Sequence, residues 1–352
     1  MGVFNMPMSA ICNSPRFCRS RRWRLSTGFT LIELAVVVLI ISLLAAVVIP
    51  AIQNARETAR QAECGEKLRQ LNLAVCQYAQ TNGVFPAVIK SKTPSVPFPT
   101  DGYFESIHPF EEAANEESGS GADAHSWIVE ILPYIDEQDK YYRWDFSKSV
   151  NGNRDLAQQD IPLLYCPSRR STVRPFDVPM MFQNWTSGGT DYGGCVNSGN
   201  TWINSPSHRY LAGKIIWGYE TAGILMPNRG TTHAEIRDGL SSTILLGELQ
   251  RLWVSTLLHE GVTGGAAGRS QDGWAVGGVS VGFSTYFGPQ DPVVHPGGIN
   301  NGFFENPGSE HPGGAHFTMA DGSAHFISDN VDRAVFEALG SRAGGETISG
   351  VP

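Results

Sequence analysis

The sequence is short of positive charge. Its 352 residues carry 26 Lys and Arg against 34 Asp and Glu, a formal net charge of −8. A nucleic-acid surface needs a basic footprint, so no nucleic-acid partner is expected. Long apolar runs are scarce as well. One extends from Leu34 to Ile49, broken only by Ser42, and no second run matches it. That excludes a multi-spanning membrane protein and leaves one membrane contact and one large head. Acidic residues are missing from positions 1–28, which hold Arg16, Arg19, Arg21, Arg22 and Arg24. Cysteine is sparse: Cys12 and Cys18 lie in that basic stretch, and Cys64, Cys76, Cys166 and Cys195 lie beyond it.

What is present organises itself around residues 28–50. With Phe29 to Ile32 in front, the apolar run is long enough to cross a bilayer, which takes roughly 20 helical residues. Glu33 interrupts it, and a carboxylate in hydrocarbon marks a functional position. A basic segment followed by an apolar run is a targeting signal. Here Gly28 stands before the run and not after it.

Gly28-Phe29-Thr30-Leu31-Ile32-Glu33, with Pro50 downstream, resembles the type IV prepilin signal of pilins and type II secretion pseudopilins. The resemblance implies cleavage after Gly28 by a prepilin peptidase and methylation of Phe29. It implies an assembly role for Glu33, which would sit fifth in the mature chain, and a helix-kinking role for Pro50. Physically, a Glu33 buried in lipid gains by pairing with the N-terminal amine of a neighbouring subunit. Loss of the five leader arginines would take the net charge from −8 to −13.

Beyond the apolar run, Ile52, Ala55, Ala59 and Ala62, then Leu68, Leu71, Val75 and Tyr78, recur at helical spacing. Charges such as Arg56, Glu57, Arg60, Glu63 and Lys67 fill much of the remainder, and Asn82-Gly83 ends the helix. The expected organisation is a leader at 1–28, a transmembrane half-helix at 29–50, an amphipathic spine at 51–82, a head at 83–345 and a tail at 346–352. Gly and Pro, 39 and 21 residues, suit a loop-rich head containing β-structure. Residues 86–99 read as extended and 110–124 as an acidic surface loop. Thr243–Leu246 reads as a strand. Asp321-Gly322 marks a two-residue hairpin turn that sets Met319 opposite Ala324, Thr318 opposite His325 and Phe317 opposite Phe326.

These pieces extend the resemblance. His311, nine residues, then Asp321-Gly322 match the H-x9-D-G motif of a large bacterial family of prepilin-like proteins, a domain of unknown function. Cys166-Pro167-Ser168, Asp191-Tyr192 and the stretch from Asp238-Gly239 to Gly247-Glu248 are further landmarks. The family implies an α+β, pilin-like fold, a long N-terminal α-helical spine packed on an antiparallel β-sheet head with long loops. Cys76 departs from the pattern, where relatives are expected to have His.

Several residue groups admit a chemical reading. Gly278-Val279-Ser280-Val281-Gly282 fits the nucleophile-elbow pattern, but no helical pattern follows it, so no enzyme is expected. His311, His316 and His325 suggest zinc weakly, and a hydrogen-bonding His311 that fixes the loop before the hairpin is the preferred reading. No cofactor is expected. Calcium, carried by some pseudopilin heads, stays open, but no dense Asp-x-Asp-x-Asp run supplies ligands. Asn184-Trp185-Thr186 is a sequon by pattern, and Trp185, Trp202, Trp217 and Trp274 read as anchors before a sugar-binding surface. Cys64 and Cys76, twelve residues apart, sit about 18 Å apart on a helix rising about 1.5 Å per residue, beyond disulfide reach. We expect Cys64–Cys166 and Cys76–Cys195, with four buried thiols as the alternative.

The expected function is a membrane-inserted, peptidase-processed subunit of a type IV pilus-like or type II secretion pseudopilus assembly. Its partners would be the peptidase and other pilin subunits. It would cross the bacterial inner membrane once, with its head in the periplasm or at the cell surface. The alternative is a single-pass, membrane-anchored ligand-binding protein that never polymerises.

Overall fold

The structure, a computed structural model, describes residues 30–90, 125–181, 186–198, 222–226, 228–252, 270–278, 280–285, 298–302 and 306–346. The chain divides into two compact units, Met1–Gln53 and Asn54–Pro352. Helix α1 (Leu31–Asn82) runs through both, with Pro50 inside it. In the first unit its apolar side chains are exposed, from Leu31 at 86 % to Ile52 at 45 %. By length and composition it can cross a membrane. Gly83 ends α1 at φ 76°, its amide donating to the Ala79 carbonyl at 2.8 Å. The expected segments 86–99, beyond Lys90, and 110–124 lie outside the described residues, as do Trp185, Trp202 and Trp217.

In the second unit α1 buries Cys64, Leu68, Leu71, Asn72, Ala74, Val75, Tyr78 and Ala79. These cover one face of a five-stranded sheet made of β3 (Tyr192–Asn197), β4 (Ile244–Glu248), β5 (Gly282–Ser284), β6 (Gly314–Met319) and β7 (Ala324–Ser328). The order is β5-β3-β4-β6-β7. All pairings are antiparallel except β3–β5, which is parallel, so the sheet is mixed at that edge. A small ribbon, β1 (Ile89–Lys90) with β2 (His125–Ser126), precedes helix α2 (Trp127–Ile131). Ser126 caps α2 by accepting from the Ile128 amide at 3.1 Å. The Trp127 indole donates to the Val281 carbonyl at 2.9 Å. The short helices α3 (Gln138–Arg143) and α4 (Arg154–Ala157) follow.

Alternation along the strands divides the sheet's two faces. Tyr192, Val196 and Leu246 point toward the core on the α1 side. Cys195, Ile244, Phe283, Phe317 and Met319 point to the other side, which helix α5 (Arg333–Leu339) closes with Phe336 and Leu339. The Asp332 carboxylate caps α5, accepting from the Ala334 and Val335 amides. A bulge between Ile244 and Leu246 shifts β4 by one residue and lets Leu245 and Leu246 both serve the first core.

The hairpin exists, but its register differs by one from the expected one. Thr318 pairs with Ala324, Phe317 with His325 and His316 with Phe326. The loop has three residues, closed by the Met319 amide on the Ser323 carbonyl at 2.9 Å, with Gly322 at φ 92°. That is the turn-plus-left-handed-glycine alternative to a two-residue loop. A long-range contact selects it: the Ala320 and Asp321 amides donate to the Thr243 and Leu240 carbonyls, both at 3.0 Å.

The expected Cys76–Cys195 bridge does not form. Both thiols are free. Cys76 packs with the α1-side core near Asn72 and Ala320, whereas Cys195 lies in the α5-side core near Gly340. They serve opposite faces of one sheet.

Candidate functional site

The described polar residues converge under α1. Glu57 and Cys64 are seven residues apart, two helical turns, and therefore share the face that meets the head. Glu248 ends the apolar strand β4, and His316 lies on the neighbouring β6. Cys166 and Ser168 come from the turn after Tyr165, and His311 from the approach to β6.

His311 is the centre of this group. Its Nδ1 lies 2.6 Å from Glu57 Oε1 and its Nε2 lies 3.3 Å from Glu248 Oε1. The ring is fully buried, as is Glu248, while Glu57 keeps 20 % of its side chain exposed. Ser168 Oγ donates to both Glu57 oxygens, at 3.0 and 3.1 Å, and Arg60 joins from the next turn at 2.7 Å. Glu248 Oε2 accepts from the His316 amide at 2.7 Å and lies 3.2 Å from His316 Nδ1. The other oxygen, Oε1, is buried and ion-paired with His311 Nε2. Gly65 makes room for the His316 ring; a Cβ there would stand 3.1 Å from its Cδ2.

Burial works against charge on all three central groups, and their mutual attraction wins. It would raise Glu57, but hydrogen bonds from His311, Arg60 and Ser168 hold that carboxyl below its ordinary value. It would raise Glu248 too, but the imidazoles of His311 and His316 keep that carboxyl low. It would lower His311, but Glu248 and Glu57 push the imidazole above its usual range. The result is an imidazole whose charged form is favoured by two carboxylates, one on α1 and one on β4.

Cys64 and Cys166 form a disulfide with Cα atoms 5.3 Å apart, linking α1 to the turn that carries Ser168. Cys166 Sγ lies 3.4 Å from His311 Nε2. The Cys166 amide donates to Asp191 Oδ2 at 3.1 Å, and Tyr192 Oη reaches the Cys64 carbonyl at 3.5 Å. Asp191 belongs to a second buried charge group. Arg170 lies 2.7 Å from Asp191 and 2.6 Å from Asp272, and Arg169 lies 3.1 Å from Asp177. Burial opposes the charge on Asp272, but Arg251, Arg170 and Arg169 bring its carboxyl down to about 2. A cavity of about 250 Å³ borders Cys166, Arg169, Asp191, Glu248, Gln250 and Ser309.

A family model described as a protein of unknown function (DUF1559) matches residues 53–334, and a model of the prokaryotic N-terminal methylation motif matches residues 23–49. The chain belongs to the DUF1559 family. The family match spans every residue of the polar group, and the methylation-motif match contains Gly28, Phe29 and Glu33, so this member is prepilin-like. No curated protein and no solved structure matches the chain.

Of the residues singled out in the sequence, Gly28 and Phe29 lie outside the described part. Glu33 is in the first turn of α1, accepting from the Thr30 amide and hydroxyl, both at 2.8 Å. His311 joins Cys64 and Cys166, while Asp321 and Gly322 sit in the hairpin loop. Asp321 Oδ1 accepts from the Ser323 amide at 2.8 Å. His325 stands apart from the other two histidines, at 3.0 Å from Ser323 Oγ. Ser280 is buried, donates to the Val276 carbonyl at 2.7 Å, and is followed by strand β5 and not by a helix. Glu57 reads from the sequence only as a spine charge and Glu248 only as the end of a family landmark, so their place in this group is not foreseen. A signal existed for each: a carboxylate two turns before Cys64, and a carboxylate closing an apolar strand.

Proposed function

We propose that the chain is a structural subunit of a type IV pilus-like or pseudopilus assembly, cut after Gly28 by a prepilin peptidase and methylated on Phe29. The observation that carries this is the methylation motif at 23–49 leading into a helix whose apolar side chains are exposed from Leu31 to Ile52. Such a surface is stable only in lipid or against copies of itself. Glu33 would pair with the Phe29 amine of a neighbouring subunit, and the head would lie in the periplasm or at the cell surface. The charged group around His311 would hold α1 to the head during extraction from the membrane. On this reading the chain performs no catalysis, and the peptidase acts on it.

Intact mass and N-terminal sequencing of the protein from native membranes test the first step. A chain starting at Phe29 and heavier by one methyl group is expected. A chain retaining residues 1–28 would overturn processing. Shearing tests the second step: filaments containing the chain are expected, with Glu33→Ala inserting normally but failing to incorporate. Detergent-soluble monomers alone would favour a non-polymerising anchored binding protein.

A further inference from the structure

We infer that the reduced form of this chain holds one soft divalent cation of the zinc type between Cys64, Cys166, His311 and Glu248. Their ligand atoms all lie within 4.8 Å of one another and all four residues are buried. A tetrahedral zinc with bonds of about 2.0–2.3 Å needs ligand atoms about 3.3–3.8 Å apart. Two edges already have that length: Cys166 Sγ to His311 Nε2 at 3.4 Å, and His311 Nε2 to Glu248 Oε1 at 3.3 Å. Reduction frees the two sulfurs to separate to the same distance.

The surroundings are arranged as a metal site requires. A metal-bound imidazole donates its other nitrogen to a carboxylate, which fixes tautomer and ring orientation. Glu57 occupies that position on Nδ1, at 2.6 Å, and leaves Nε2 facing the sulfurs. His316 holds Glu248 through Oε2, so Oε1 points into the group beside His311 Nε2. A cation bound there would replace the His311 Nε2 proton as the partner of that buried oxygen. Two thiolates, an imidazole and a carboxylate are the donor set that zinc accepts and that calcium and magnesium reject.

Binding displaces one proton from each thiol and one from His311 Nε2, and the metal keeps four protein ligands. When an external disulfide oxidises the two thiolates, two electrons pass to it and its S–S bond breaks, the Cys64–Cys166 bond forms, the two external thiolates released take their protons from water, and the cation leaves as His311 Nε2 regains a proton from water. The site therefore belongs to the dithiol form and the staple to the oxidised form of the same residues. Metal binding by these four residues requires no filament assembly and is measured without it.

The full chain in detergent micelles is reduced with a phosphine, freed of reductant without air, and titrated with cobalt(II) alone. One equivalent is expected, with thiolate-to-cobalt charge-transfer absorption and tetrahedral d–d bands, both abolished by zinc. The oxidised chain should bind at least tenfold more weakly, and Cys76→Ser should bind like the wild type. Glu57→Gln, which removes no ligand, should weaken binding by about 10–100-fold. Absence of the charge-transfer band in the reduced wild type would overturn the inference without reference to any variant. So would a band that His311→Ala and Glu248→Gln leave unchanged, since two cysteines alone would then explain it.

Discussion

The two faces of the central sheet solve the same burial problem differently. The α5 side is built from apolar side chains: Phe283, Phe317 and Phe336 meet edge-on, with centroids 5.9 and 5.5 Å apart. The α1 side mixes Leu68, Leu71 and Val75 with a buried disulfide, two carboxylates and the imidazole of His311. Apolar packing is proportional to area and indifferent to small slips along a helix axis. A charged group with matched distances is not, because an offset leaves a buried charge unpaired. The α5 side therefore supplies cohesion, and the α1 side adds a definite register between helix and sheet.

The strongest way to break this contrast is to cut one anchor from each face and vary pH. Phe317→Ala should cost about 3–5 kcal/mol in urea unfolding of the detergent-solubilised chain, the same at about pH 5.5 and about pH 9. His311→Ala should cost about as much, about 3–5 kcal/mol, because two carboxylates lose their common partner. Its cost should depend on pH. The raised His311 stabilises fully below the ordinary imidazole value of about 6.5, and that contribution fades as pH rises through the raised value. The lowered Glu57 and Glu248 stabilise fully above about 4.3 and fade as pH falls through their folded values. The penalty of His311→Ala should thus be largest near about pH 5.5 and shrink toward about pH 9. Equal pH dependence in the two variants would erase the distinction between the faces.

Next in size is the disulfide. Cys64 and Cys166 are 102 residues apart, so replacing both by Ser should cost about 2–5 kcal/mol, and reductant should reproduce the loss in the wild type but not in the variant. Smaller again is Asn72→Ala. Asn72 is fully buried and its amide donates to the Met319 carbonyl at 2.9 Å, tying α1 to the hairpin loop. Its loss removes this buried hydrogen bond, although the Gly322 amide still donates to the same carbonyl at 3.0 Å, takes away the Oδ1 acceptor beside Cys76 Sγ and opens a cavity, and should cost about 1–3 kcal/mol by the same unfolding measurement. The smallest effect is Gly322→Ala, about 1–2 kcal/mol, from forcing a side chain to φ 92°. If Gly322→Ala cost more than Asn72→Ala, the hairpin loop would be set by its own turn and not by its contacts to α1 and the 240–243 segment.

The errors of the sequence reading have one origin. The distance rule excluding Cys64–Cys76 is local to a helix and holds, and Cys64 does meet Cys166. Assigning the remaining two cysteines to each other relied on counting, and counting does not know which face of a sheet a residue serves. The hairpin was found from Asp321-Gly322, but its register was set by amides bonding to carbonyls some eighty residues earlier in the chain. Glu57 was read with the solvated charges of the spine. Its partner, His311, is 254 residues away, and no periodicity in either segment points to the other.

By itself, the sequence determined what depends on order along the chain. That includes the arginine-rich first 28 residues, Gly28 ahead of the apolar run, Glu33 within it, the helix to Asn82 and the strands that alternate. These follow from charge, run length and period, which are properties of neighbours. Only the tertiary structure decided which face each strand residue joins, which cysteine is bridged, and that Glu57, Cys64, Cys166, Glu248 and His311 meet at one place. The physical reason is that a buried charge or thiol is tolerated only by the partners that surround it, and those partners come from segments that only the folded sheet brings together.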